Sequence, residues 1–257
     1  MPGRYFLFFL ILTYGWVGAF NPIRAEEIDH VAYYRVCMNT VENDPKKAFT
    51  IAIRWRDLGG GEAAEHCAAS ALIGLEQYKE GAARMEELAL RSKQNPEMKA
   101  QILIHAVQAW LLAGDAMRSE AVATTAIKLL GDFARETPEL LIDRAQARAL
   151  LKDYRGALED LDKSILIRPT VADAYAFRAS AKRYLDDLDG AILDANSALN
   201  IDRTHADALL ERGIIHRLMN ADQKAREDWL MVLSVAPDSQ AADAARVNLE
   251  KMDVKKE

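Results

Sequence analysis

The chain has 257 residues, half of them hydrophobic, with 28 % charged, 7 % aromatic and a net charge of −6 at neutral pH. That is enough to bury a sizeable core in one or two domains, and a composition led by alanine, leucine and charged residues predicts helices. A net acidic, patternless surface excludes nucleic acid as the expected partner, because neutralising phosphates takes clustered Lys and Arg.

The first 25 residues differ from the rest. Arg4 precedes an apolar run from Tyr5 to Thr13, which weakens through Gly15, Gly18 and Asn21-Pro22 and reaches Arg24-Ala25 before Glu26-Glu27. A positive start, a short apolar stretch and a small residue before an acidic onset describe a secretory signal peptide over 1–25. Cleavage after Ala25 is expected first and after Ala19 second. The alternative is an uncleaved anchor, although Tyr5 to Phe20 gives only 16 glycine-broken residues where a span needs about 20. No cysteine stands near the cleavage region to carry a lipid. Removing Arg4 and Arg24 and no acid leaves the mature chain (26–257) at −8.

Three helix-turn-helix segments follow. The first, 29–61, carries Ala32, Val36, the turn Asn43-Asp44-Pro45, Ala48 and Trp55; 62–95 carries Ala69, Leu72, Tyr78, Gly81, Met85 and Leu88; 100–131 carries Leu103, Val107, Trp110, the turn Gly114-Asp115, Ser119 and Ala126. Starts at 29, 62, 100 and 138 are spaced by 33, 38 and 38 residues. The longer spacings predict extended helix around Arg91–Met98 and Asp132–Thr137.

Three clearer copies come next, 138–171, 172–205 and 206–239, with their starts 34 residues apart. In the final copy the key positions hold Leu209, Arg212-Gly213, His216, Ala225, Trp229, Val232 and Pro237. The copy before it has Tyr175, Arg178-Ala179, Lys182, Ala191, Ala195, Ala198 and Arg203, and the first has Leu141, Arg144-Ala145, Arg148, Ala157, Leu161, Ser164 and Pro169. This pattern resembles the tetratricopeptide repeat (TPR), which places a large residue, Leu-Gly and Tyr on helix A, then Ala, an aromatic, Ala and a closing Pro on helix B. Small residues at Gly213, Ala179 and Ala145 would let helix A approach helix B, and the prolines end helices. Residues 239–252 add an amphipathic helix through Ala242, Ala245, Val247 and Leu249, fit to cap the last apolar face. The resemblance implies an all-α fold: a right-handed α-solenoid of about six repeats plus a C-terminal capping helix.

The three clear copies share Arg144, Arg178 and Arg212 where the pattern usually has Leu, each with an Asp sixteen residues later, at 160, 194 and 228. Identical phase predicts partly buried ion pairs within a repeat or to a neighbour, the planar guanidinium suiting a carboxylate. The alternative is three arginines presented to an acidic ligand.

Cys37 and Cys67 are the only cysteines and fall on neighbouring A helices. An even count in an exported chain points to a disulfide, whose loop of about 30 residues would contribute roughly 3 kcal/mol. Separate buried thiols are one alternative. A metal site that adds His30 and His66 is another, although the spacing matches no compact metal motif.

The chain has no phosphate-binding loop (Gly59-Gly60-Gly61 lacks a following Lys-Ser/Thr), no His-Glu-x-x-His and no Gly-x-Ser-x-Gly. Asp186, Asp187 and Asp189 lack EF-hand spacing and read as a solvated turn. No cofactor, resident metal or small-molecule substrate is expected, and no catalysis. In solenoids of this kind helix A lines the concave side. The inward positions here would be Tyr33, Tyr34, His66, Gln101, His105, Gln108, Asp143, Gln146, Phe177, Arg183, Tyr184, Glu211 and Arg217, a mix suited to a peptide. The Lys/Asn set of a C-terminal-carboxylate clamp is not recognisable. The resemblance thus implies a periplasmic or secreted interaction scaffold, an adaptor in envelope or secretion complex assembly, whose contact with a membrane would be through an uncleaved signal. A self-associating solenoid using its terminal repeats is the alternative, with a metal-binding protein or an enzyme behind it.

Overall fold

The computed structural model describes residues 28–131 and 135–254, so the expected signal peptide over 1–25 and the range 132–134 lie outside the described residues. Thirteen α-helices are described: α1 His30–Asn43, α2 Pro45–Trp55, α3 Gly61–Gly74, α4 Tyr78–Arg91, α5 Pro96–Leu112, α6 Ala116–Leu130 and α7 Thr137–Leu150, followed by α8 Tyr154–Ile167, α9 Ala172–Tyr184, α10 Leu188–Ile201, α11 Ala206–Leu218, α12 Asp222–Val235 and α13 Gln240–Val254. They form six A–B pairs and a terminal helix, an α-solenoid with no strand among the described residues. Nor is any described helix long and apolar enough to cross a membrane.

Turn chemistry makes the pairs. The residue that ends an A–B turn is left-handed in five repeats, at Glu76, Gly114, Lys152, Asp186 and Asn220. An aspartate then caps helix B: Asp115 accepts from the Arg118 amide at 3.1 Å, Asp153 from Gly156 at 3.0 Å and Asp187 from Gly190 at 2.9 Å. Asp44 does the same for α2, accepting from Lys47 at 2.9 Å. The second and sixth pairs depart, with Gln77 and Ala221 at the cap position and no side-chain bond.

Each A helix packs on its own B helix and on the A helix of the next repeat, from α1 through α3, α5, α7, α9 and α11 to α13. Consecutive B helices make no comparable contact. The A helices therefore lie closer together, which curves the array around them. Volume is traded across the A–B contact. Gly213 lies under Trp229, where an added Cβ would fall 2.6 Å from the indole Cδ1. The equivalent pairs, Ala179 with Ala195 and Ala145 with Leu161, fill the same space with a larger and a smaller partner.

Two local features differ from the sequence expectations. Helix does not run through Arg91–Met98: α4 stops at Arg91 and a loop of four residues precedes α5. Pro96 explains this, since it fits the first turn of a helix but not its interior. Asn95 caps α5 by accepting from Met98 N at 2.9 Å, and Ser92 donates to Glu62 at 2.7 Å. Of the second expected extension, 132–134 lie outside the described residues, 135–136 form a turn, and α7 begins at Thr137, whose hydroxyl donates to the Gly131 carbonyl at 2.8 Å. Between α2 and α3 the chain makes a π-type turn, Arg56–Gly60, with Gly59 left-handed and Gly60 pressed against the Trp55 ring. At the other end α13 buries Ala241, Ala242, Ala245 and Met252 against the Leu209 and Trp229 core, while Val247 faces solvent.

Candidate functional site

The three repeated arginines face helix B. Arg144 grips Asp160 with two nitrogens at 2.8 and 2.6 Å, Arg178 grips Asp194 at 2.8 and 2.6 Å, and Arg212 grips Asp228 at 2.9 and 2.6 Å. The third nitrogen of each reaches back to the preceding B helix, to Thr124 at 3.1 Å, Asp162 at 2.7 Å and Asn196 at 3.1 Å. No guanidinium of the three is free in the groove, which removes the reading that they await an acidic ligand. A second cation stands in the same phase, unexpected from the sequence. Arg148 and Lys182 stand where the TPR pattern has Tyr and approach Asp160 and Asp194 at 2.9 and 2.7 Å. His216, in the third copy, lies 3.9 Å from Asp228. The signal was present as three basic residues 34 apart.

Cys37 and Cys67 are joined as a disulfide between α1 and α3, with Cα atoms 6.2 Å apart. His30 is engaged elsewhere, accepting a 2.9 Å hydrogen bond from the Trp55 indole. The two-Cys, two-His arrangement is therefore not assembled.

Many of the inward positions stitch neighbouring A helices. The Tyr34 hydroxyl lies 3.2 Å from His66 Nδ1, and the His66 ring meets His105 edge to face at 5.6 Å, linking α1, α3 and α5. Gln108 on α5 hydrogen bonds to Asp143 on α7. Arg183 on α9 pairs with Glu211 on α11, which is buried. Phe177 packs partly buried against the Ala145–Leu161 core. Tyr33 stacks on Trp55 at 6.1 Å, at the open start of the array. Tyr184 and Arg217, at the ends of their helices, turn toward B helices rather than across the A face. Tyr184 stacks on Tyr154, and Arg217 pairs with Asp222.

Burial sets the electrostatics of this face. It lowers the His66 pKa to about 4, with the neighbouring His105 adding to the effect, and lowers His105 as well. Both imidazoles are thus neutral at pH 7. Burial also raises Asp143 to about 6, with the Gln108 hydrogen bond opposing and Glu139 and Asp173 assisting. Between α1, α3 and α5 a cavity of about 430 Å³ opens, and Tyr34, His66, Met98, Gln101, Ile102 and His105 line it. The side chains of Gln101 and Gln146 are not used in any stitch described above.

Neither a family model nor a curated protein matches the sequence. Among solved structures, the chain is similar to MamA 41-end from Desulfovibrio magneticus RS-1, at 18 % identity and a TM-score of 0.56 over 70 % of this chain and 97 % of that one. It is also similar to a crystal structure of MamA, at 13 % identity and a TM-score of 0.54 over 65 % of this chain and 92 % of that one. At such identities the likeness is one of fold, and it agrees with an α-solenoid of TPR-type helix pairs.

Proposed function

We propose that this TPR-type solenoid is an exported interaction scaffold that seats a segment of a partner protein on its A-helix face, as an adaptor in the assembly of an envelope or secretion complex. The observation that carries the reading is the cavity between α1, α3 and α5. Neutral imidazole and phenol rings, aliphatic walls and the Gln101 amide converge there, in a space of 430 Å³ that fits one large side chain. Hydrogen bonds from Gln101 and His105 would fix the backbone of an extended segment, while the ring faces would take its side chain. The polar stitches on either side hold the helices that frame the cavity, so little ordering is needed on binding. Function resides in this site and not in the architecture, which many unrelated proteins share.

A photo-crosslinking side chain at Gln101 should join a discrete partner, and one at the exposed Glu159 on the opposite side of the array should not. His105→Ala and Tyr34→Ala should weaken that adduct with the fold intact by circular dichroism. An adduct at Glu159 alone would reject this face as the binding site. Export is tested separately by N-terminal sequencing of the purified protein. A chain beginning at Glu26 supports it, and retention of Met1 in a soluble cytosolic fraction rejects it.

A further inference from the structure

The end of each A helix and the turn after it form an edge of the array that belongs to neither groove nor core. On this edge repeats four, five and six expose an apolar pair in 34-residue phase: Leu150–Leu151, Tyr184–Leu185 and Leu218–Met219, each residue between 37 and 63 % exposed. Single exposed apolar residues are ordinary, but three pairs in register make a patch. The pairs are held firmly. Leu151, Leu185 and Met219 donate their amides to the carbonyls of Ala147, Ala181 and Ile215 at 3.1, 3.2 and 2.9 Å, and the residue after each is locked left-handed.

The charges beside these rungs differ between repeats at matching positions. Repeat four carries Lys152 and Arg155, where repeat five, 34 residues on, carries Asp186 and Asp189. All four are exposed, and none has an ion-pair partner among the described residues. At the boundary between the two repeats Tyr154 and Tyr184 stack in parallel, with ring centroids 4.5 Å apart and planes within 3°.

We propose that this edge is a self-association surface on which two copies of the chain meet antiparallel, about a two-fold axis at the boundary of repeats four and five. Leu150–Leu151 of each copy faces Tyr184–Leu185 of the other, and Lys152 and Arg155 of each face Asp186 and Asp189. Such an isologous contact uses one patch twice and closes on itself. Rung spacing follows from A-helix packing, about 8–10 Å, and an antiparallel second copy matches it by construction. The charge order selects the register, because centring the axis on repeat five would set Asp186 and Asp189 against themselves. In the chosen register Leu218–Met219 falls opposite Leu112 of the second copy, itself 61 % exposed. The A-helix face stays open, since the contact is made by helix ends.

Sedimentation equilibrium on the purified protein tests this. The wild type should be a dimer. Asp186→Lys with Asp189→Arg should give a monomer, as should Lys152→Asp with Arg155→Asp, and all four changes together should restore the dimer. Leu150→Ser with Tyr184→Ser should raise the dissociation constant at least tenfold, with the helical circular dichroism signal unchanged. The matching phase shows that either charge is tolerated at these turn positions, so the variants should fold. A wild type that stays monomeric to on the order of 100 µM overturns the proposal. So does a dimer indifferent to both charge pairs, or a fourfold variant that stays monomeric.

Discussion

The first two repeats and the last three reach the same helix-pair geometry by different chemistry. In repeats four to six one residue pattern recurs every 34 residues, and each joint closes with an arginine between two B helices. The first two repeats have no such arginine. Their A helices are joined by a covalent bridge, by aromatic and histidine contacts around Trp55 and His66, and by a glycine-rich π-type turn. Regular joints carry their own order, whereas an irregular end needs a crosslink to hold it. Stability in such an array is close to a sum of repeat and interface terms, so the two regions should respond separately to damage.

The largest effect is expected from the regular region. Arg178→Met leaves the buried Asp194 with the single contact of Lys182 at 2.7 Å and should cost about 3–4 kcal/mol in chemical denaturation, toward the low end for a broken buried pair. Adding Asp194→Leu should recover most of the loss, because the pair carries a desolvation cost that a well-packed apolar pair avoids. Hydrogen exchange should rise in α9 and α10 and hardly change in α1–α3. If the double variant is no better than the single, the ion pair is not the source of the effect.

A slightly smaller effect of opposite location is expected from Cys37→Ser with Cys67→Ser. Releasing the bridge should cost about 3 kcal/mol. Exchange protection should fall in α1 to α3 while α9 to α12 keep theirs. Uniform loss along the whole chain would show that the two regions unfold as one.

The smallest effect sharpens the contrast through pH. His66 has a folded pKa depressed to about 4, so the stability it contributes is present above pH 6.5 and is lost as pH falls through 4. Asp143 has a folded pKa raised to about 6, so its contribution is present below about 3.8 and is lost as pH rises through 6. Each amounts to about 2–3 kcal/mol, and between pH 6 and 4 they oppose one another. Urea unfolding at pH 7 and 4.5 should therefore show His66→Gln gaining stability in acid relative to wild type, and Asp143→Asn losing it. Parallel shifts in both variants would mean that neither group titrates as its burial implies.

How much of this was legible depended on repetition. Three copies in one phase exposed the helix pairs and the Arg–Asp spacing, because an architectural residue recurs with the architecture. The capping helix was legible from its small residues, although Val247 proved to face solvent. The break before Pro96 is readable in the Asn-Pro pair, but the 38-residue spacing around it points the other way, to continuous helix. The A-helix face was harder. Periodicity shows that Arg183, Glu211, Gln108 and Asp143 point inward, and it does not show that they bind one another across repeats. Tyr184 and Arg217 satisfied the same periodicity and turned aside, because at a helix end the neighbouring turn offers nearer partners than the groove does.

The backward reach of each arginine has a consequence for how such a chain changes length. Repeats four and five each bring their own donor toward the unit before and their own acceptor, at Asp162 and Asn196, for the unit after; repeat six has Leu230 at the matching position. A tandem duplication of repeat four or five would arrive with both halves of its new joint and leave no joint open. Gene-level lengthening of the array is thereby structurally silent in this region. It would not be so in the first two repeats, where a copied unit would carry an odd thiol.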